Sequence, residues 1–139
     1  GDGFVSKVLS WSRKQETLRI VTDQTGSPSW ARMLAEVTLA VIAQSLPASQ
    51  KYFSEKSGIY HLGGTGSVSR FDFVCAILRL DPKAGEQKTK SVEPALTADF
   101  PTPACRPLVT PLNCSRFESA FGLRLPGWEE SLRLALEKP

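Results

Sequence analysis

Apolar and polar positions along the chain follow two rhythms, and the sharpest change between them falls in the stretch from Leu18 to Leu46. Leu18, Ile20 and Val21 form a short apolar run; Thr22-Asp23-Gln24-Thr25-Gly26 follows with turn chemistry, and Ser27-Pro28-Ser29 with helix-start chemistry. The order predicts strand, loop, helix. Proline suits the first helical turn, where its missing N–H would have no partner, and Ser27 or Ser29 can accept from the unpaired N–H groups beyond it. The helix is therefore expected to begin within a residue or two of Pro28. From Trp30 to Leu46 it is apolar on nearly every side. Met33, Leu34, Val37 and Val41 fill one stripe, Leu39 and Ile42 lie off it, and Arg32, Glu36 and Gln44 supply the wet edge. Such a helix is normally covered on more than one face, and a chain of this length has little to cover it with.

The remaining segments read more simply. Phe4, Val8 and Trp11, with Val5 and Leu9 beside them, predict an amphipathic helix closed by Arg13, Lys14 and Gln15. Pro47-Ala48-Ser49-Gln50 breaks the long helix, Lys51 to Ser57 reads as a polar surface loop, and Gly58 to Gly64 as a second short strand ending in glycines. Ser69 with Asp72 resembles a capping box, and Phe71, Val74, Cys75 and Leu78 follow at helical spacing, predicting a helix from about Arg70 to Leu80. Pro82 to Pro111 is proline-rich and expected to be irregular, apart from a strand near Ser91 to Glu93. Ser115 and Glu118 predict a capping box for a short helix carrying Phe117 and Phe121, with Gly122 at its end. In the last helix Trp128, Leu132, Ala135 and Leu136 share a face, with Glu129 and Glu130 near the N-terminus and Lys138 near the C-terminus.

Composition narrows the classes. With 139 residues, one domain is expected. Charged residues make up 22% and the formal net charge is +3, without a run of four like charges, so no electrostatic footprint for nucleic acid or a membrane surface is visible. The three cysteines form no Cys-x-x-Cys, and with the single histidine, His61, they favour neither a disulfide framework nor a zinc site; a reducing cytoplasm is the expected setting. No apolar stretch is long enough to span a bilayer. The chain opens on Gly1 and enters a helical pattern almost at once, as expected of a piece of something longer.

Four features carry candidate chemistry. Gly63-Gly64-Thr65-Gly66 falls between a strand and a helix, but Ser69 stands where the last glycine of G-x-G-x-x-G belongs, and no acidic residue follows at the end of a second strand. Glycines that let the chain turn sharply are the better reading. His61, without a nearby Cys, Asp or Glu, reads as a core or sheet histidine rather than a general base. Asp23 and Gln24 follow the central strand, where α/β proteins bind ligands, or form a turn in which Asp23 bonds its own backbone; both readings stand. Arg106, framed by Pro103 and Pro107, is either a guanidinium held stiffly for a phosphate or carboxylate, or an exposed loop charge.

Three stretches together resemble one family. Arg19-Ile20-Val21-Thr22-Asp23-Gln24-Thr25-Gly26-Ser27-Pro28-Ser29 is similar to the R-V-V-x-D-Q-x-G-x-P-T stretch of dTDP-4-dehydrorhamnose reductases, which are extended short-chain dehydrogenase/reductases. Gly58-Ile59-Tyr60-His61-Leu62 with Ser69 and Phe73 resembles their G-x-Y-H and S-W-x-x-F stretches. Arg106-Pro107-Leu108-Val109-Thr110-Pro111-Leu112-Asn113 resembles their R-P-x-N-S-x-L-D segment, followed by Phe121-Gly122 and Leu125-Pro126-Gly127-Trp128-Glu129 in the closing helix. Ser29, Arg70 and Val109 depart from the usual Thr, Trp and Asn. The resemblance implies an α/β fold, the C-terminal part of a Rossmann-type NAD(P)-binding enzyme with about five helices and two or three short strands. It implies that residues 1–139 are a substrate-binding portion, with the dinucleotide-binding half, its glycine loop and its Tyr-x-x-x-Lys pair absent from the chain. Tyr52-x-x-x-Lys56 is an accidental match in a polar loop. The implied reaction reduces dTDP-4-dehydro-6-deoxy-L-mannose to dTDP-L-rhamnose with NADPH, with Asp23, Gln24 and Arg106 binding the dTDP-sugar and no catalytic residue in this chain, which alone would be inactive. Mg2+ and a homodimer remain open as cofactor and partner. The alternative is a non-catalytic homologue similar to the regulatory subunit of methionine adenosyltransferase.

Overall fold

A pair of parallel strands clasped between helices forms the centre of the computed structural model, which describes residues 3–46 and 49–137. Strand β1 (Thr17–Val21) runs beside β4 (Ser91–Ala95), with Leu18 opposite Val92 and Ile20 opposite Pro94. Pro94 has no N–H to donate, and a pair with no further strand on either side among the described residues tolerates it. The core cluster unites Val8 of α1 (Phe4–Ser12), Leu18 and Ile20 of β1, Val74, Ala76 and Ile77 of α4 (Arg70–Arg79), and Leu132 of α6 (Trp128–Leu136). Val8, Val74 and Ile77 are wholly shielded from water. Burying such a side chain contributes about 1.5–3 kcal/mol, so these three weigh more than any exposed ion pair in the molecule. Phe4 and Phe73 stack at 6.1 Å, and Phe73 meets Trp128 edge-on at 5.8 Å, joining α1, α4 and α6 near the cavity described below.

The long apolar helix, α2 (Ala31–Ser45), lies outside this core. It starts three residues beyond Pro28, with Trp30 in the N-cap position and no side-chain cap. The reason lies in Ser29: its hydroxyl donates to Ser27 O at 3.1 Å and accepts from the Gly64 N–H at 2.8 Å, so it anchors a neighbouring loop instead of capping the helix. Leu39 is 65% and Leu46 75% exposed, and among the described side chains of α2 only Ser45 is buried.

Several expectations are corrected. Lys51 to Ser57 is mostly helix: α3 spans Ser49–Glu55, held by Tyr52 packing on Phe121 and by Lys56, which lies over both rings and donates to Ala120 O. Gly58 to Gly64 forms no strand, and His61 is exposed rather than set in a core or sheet. The capping residue of α5 (Ser115–Phe121) is not Ser115; Cys114 is the N-cap, and Asn113 Oδ1 accepts the Ser115 N–H at 3.0 Å. Gly122 closes α5 at φ 65°, the left-handed conformation expected of it. At α4 the cap holds in half: Ser69 Oγ accepts the Asp72 N–H at 3.0 Å, while the Asp72 carboxylate takes the Ser69 hydroxyl. The described residues thus form six helices and five short strands, an α/β arrangement with one helix and more small strands than the sequence indicated. Expectations for Gly1, Pro47, Ala48 and Lys138 lie outside the described residues.

Candidate functional site

Three two-residue strands assemble the site. Strand β2 (Thr25–Gly26), just past the end of β1, pairs antiparallel with β3 (Val68–Ser69) and parallel with β5 (Val109–Thr110). The Thr25 N–H donates to Leu108 O at 2.8 Å, and the Thr110 hydroxyl to Thr25 O at 3.1 Å. These bonds draw the proline-framed loop against the turn after β1. From the other side, the Arg70 N–H donates to Gln24 O at 2.9 Å and brings the start of α4 to the same turn.

Between these pieces lies an open cavity of about 590 Å³. Phe4, Phe73, Val68, Pro28, Pro107, Leu108 and Leu112 give it apolar walls, and Thr25, Ser27, Ser69 and Thr110 supply hydroxyls. Gln24 and Arg106 both line it, as does Arg70. Arg106 is exposed, and no carboxylate or hydrogen-bond acceptor engages its guanidinium among the described residues. No acidic residue is among the described lining residues. Apolar walls with few polar groups and an uncompensated cation suit a ligand that carries negative charge on an otherwise uncharged body.

Asp23 is placed differently. Its carboxylate does not line the cavity; it accepts from the Thr97 N–H at 3.1 and 3.0 Å and from the Thr97 hydroxyl at 2.8 Å. The backbone N–H of Thr97, and after it the hydroxyl, hold the Asp23 carboxyl below the usual carboxylate range. Neither reading made from sequence anticipated this bond across to the turn after β4. Thr97 in turn accepts from Gln24 Nε2 at 3.0 Å, so a relay runs Gln24 to Thr97 to Asp23. The amide nitrogen of Gln24 is thereby engaged, and its carbonyl oxygen is left as an acceptor for a ligand hydroxyl. Sequence reasoning missed Thr97, Phe4 and Phe73 as site residues. It noted Arg70 only as a helix start and a departure from a family pattern. Phe73 and Arg70 fall in a stretch that resembles a family pattern, but nothing local in the sequence gives any of these residues a place in a cavity, because their roles depend on which loops pair.

The glycines after Tyr60 turn the chain and form no phosphate cradle. A Cβ on Gly64 would stand 2.2 Å from the carbonyl oxygen of Pro28, so only glycine fits, and the atom it faces is an acceptor that would repel a phosphate.

The fold and cavity define an α/β ligand-binding unit with a site suited to an anionic, partly apolar molecule. The whole chain, residues 1–139, matches the RmlD substrate binding domain, and it belongs to that family. It is 33% identical over 133 residues to the dTDP-4-dehydrorhamnose reductase of Sinorhizobium fredii, covering 96% of this chain and 44% of that protein. To the enzyme of the same name from Escherichia coli K12 it is 29% identical over 139 residues, covering 99% of the chain and 45% of the relative. Among solved structures, a dTDP-4-dehydrorhamnose reductase from Clostridium acetobutylicum superposes with a TM-score of 0.79 at 31% identity, covering 96% of this chain and 42% of that one. A reductase from Bacillus anthracis, solved in complex with NADP, gives 0.74 at 28% identity, with 99% and 44% covered. The chain therefore spans less than half the length of these relatives. Among the described residues no helix is long and apolar enough to cross a membrane.

Proposed function

We propose that this chain is the dTDP-sugar-binding portion of an NADPH-dependent dTDP-4-dehydrorhamnose reductase, whose reaction converts dTDP-4-dehydro-6-deoxy-L-mannose to dTDP-L-rhamnose. The observation that carries this reading is the cavity in which Arg106, without a counter-charge, and Gln24, with a free carbonyl oxygen, meet apolar walls. Arg106 takes a phosphoryl group through a two-point contact, the Gln24 carbonyl accepts a hydroxyl, and Asp23 acts at one remove by fixing Thr97 and hence Gln24.

NADPH supplies hydride when bound to the intact protein. The glycine-rich stretch at Gly63 to Gly66 does not fit its phosphates, since it closes on the Pro28 carbonyl, and no step is assigned to this chain's residues through it. In this reading a dinucleotide-binding half of the same protein lies outside the chain and covers the exposed apolar face of α2. Mg2+ gains no support: among the described residues no three His, Cys, Asp or Glu side chains converge to hold a cation.

Calorimetric titration with dTDP-sugar tests the assignment. Arg106→Ala in the full-length protein should weaken binding by about 1.5–3 kcal/mol, the range for a hydrogen bond to a charged group, with NADPH affinity unchanged. Arg106→Lys should recover part of the loss. An Ala variant that binds as tightly as the unmodified protein, or steady NADPH oxidation by the 139-residue chain alone, refutes the reading.

A further inference from the structure

The cavity contains a second cation to which the reading above gives no task. Arg70 opens α4, and its guanidinium carbon lies 5.2 Å from the centre of the Phe4 ring. Like Arg106, it lines the cavity and has no carboxylate or hydrogen-bond acceptor on its guanidinium among the described residues. The nearest carboxylate along α4, that of Asp72, is turned to the Ser69 hydroxyl at 2.6 Å. Arg70 and Arg106 thus both line one recess whose described lining holds no negative charge.

An exposed arginine beside an aromatic ring is common, and such a contact is weak, so Phe4 alone does not explain the arrangement. What sets Arg70 apart is that its backbone N–H is fixed to Gln24 O and its ring partner is itself a cavity wall. The start of α4 is thereby kept at the cavity, which Arg70 lines together with Arg106. Two arginines lining one partly apolar recess offer separate partners to a ligand with two adjacent anionic groups, where a single anion engages fewer of their donors. A planar fork can meet each phosphoryl group at two points.

We propose that Arg70 and Arg106 bind the two phosphoryl groups of a nucleoside diphosphate together, one guanidinium to each, with Phe4 as the positioning residue for Arg70. The proposal rests on the cavity being the nucleotide-sugar site, and it adds a dependence on the number of phosphates. Titration of the full-length protein with dTDP, dTMP and thymidine tests it. Arg70→Ala should weaken dTDP binding roughly tenfold, weaken dTMP by clearly less, and leave thymidine unchanged. Phe4→Leu should weaken dTDP roughly threefold in the unmodified background and no further once Arg70 is alanine, a pattern that a general packing defect would not produce. Circular dichroism establishes that each variant is folded.

If Arg70→Ala binds dTDP like the unmodified protein while Arg106→Ala does not, the proposal for Arg70 fails and the site reading survives. If neither variant changes dTDP affinity, both fail. Equal losses for dTMP and dTDP also overturn the proposal, because Arg70 would then not answer to the second phosphate.

Discussion

Removal of the Asp81 carboxylate is expected to loosen the frame that holds the cavity walls. Asp81 is 6% exposed just beyond α4, and its carboxylate accepts three hydrogen bonds from three groups, one of which also forms an ion pair with it. Arg13 Nη2 lies 3.1 and 2.9 Å from its two oxygens, the Lys83 N–H donates at 3.0 Å, and Gln87 Nε2 donates at 3.0 Å. The cluster ties the end of α1 to the end of α4, and these two helices carry Phe4, Arg70 and Phe73 into the cavity. Breaking a buried ion pair from one side costs about 3–5 kcal/mol when the partner is left stranded. Here it is not: Arg13 also donates to Glu86 at 3.2 Å and Leu9 O at 2.9 Å, and Gln87 to Leu78 O at 2.9 Å. The expected cost of Asp81→Ala is therefore about 2–3 kcal/mol, below the stranded-charge range. With a urea slope of about 1.5 kcal/mol per molar, the midpoint followed by tryptophan fluorescence should fall by roughly 1–2 M at unchanged slope. Burial pushes the Asp81 carboxyl upward, but Arg13, Gln87 and the Lys83 N–H outweigh it and hold the group below its ordinary value. A carboxyl lowered by folding stabilises above its unfolded value, and that stabilisation is lost as the pH falls through the folded one. The difference between unmodified protein and variant should therefore be full near neutrality and shrink below about pH 4. A midpoint shift under about 0.3 M, or a difference that grows on acidification, refutes the reasoning.

Two further outcomes follow from the packing. Gly64→Ala forces a Cβ to within 2.2 Å of the Pro28 carbonyl oxygen, a backbone atom that cannot swing aside. It should cost about 1–3 kcal/mol or more by the same urea assay, and a stability equal to the unmodified protein would show that the loop relaxes freely. Leu39→Glu and Leu46→Glu alter side chains that are 65% and 75% exposed, so in the 139-residue chain each should change stability by less than about 0.5 kcal/mol. Both should reduce binding of an apolar dye and any self-association seen by light scattering; a large loss of stability would show that α2 packs more tightly than its exposure indicates.

How far each element could be read depends on what stabilises it. The helices α1, α4 and α6 pack on one core, and their stripes in sequence contain the buried Val8, Val74 and Leu132. In α4 the stripe of Phe71, Val74, Cys75 and Leu78 misses Ala76 and Ile77, which are buried while Phe71 and Leu78 are half-buried. Helix α3 has no such stripe. In Ser49–Glu55 only Tyr52 and Phe53 are apolar, and the helix is held by a ring contact to Phe121, far off in sequence. The opposite error befell Gly58 to Gly64, whose apolar run bounded by glycines looks like a strand. A strand exists only beside another, and no described segment pairs with this one; its neighbour Thr65 makes a lone bridge to Gly127. The all-round apolarity of α2 suffices to show a helix, but not where its first turn falls, because Ser29 bonds a distant glycine instead of the helix end and α2 starts at Ala31.

The site divides along the same line. Gln24 and Arg106 could be nominated one at a time, because a polar pair after a strand and an arginine between prolines are local signals. That they line one cavity follows from strands of two residues each, and so short a pairing leaves no pattern to read. Register decides the result. With Thr25 opposite Val109 and Gly26 opposite Thr110, the Thr110 hydroxyl reaches Thr25 O, and only 3.3 Å separates it from where a Cβ on Gly26 would stand. A slip of one residue exchanges the faces of β5 and carries the loop that ends in Arg106 out of line with Gln24. The charge of Arg106 is thus written in one residue, but its usefulness is written in the pairing of Thr25 and Gly26 with residues more than eighty positions away. Substitutions in β2 or β5 that spare every cavity cation should for that reason impair ligand binding as surely as loss of the arginine itself.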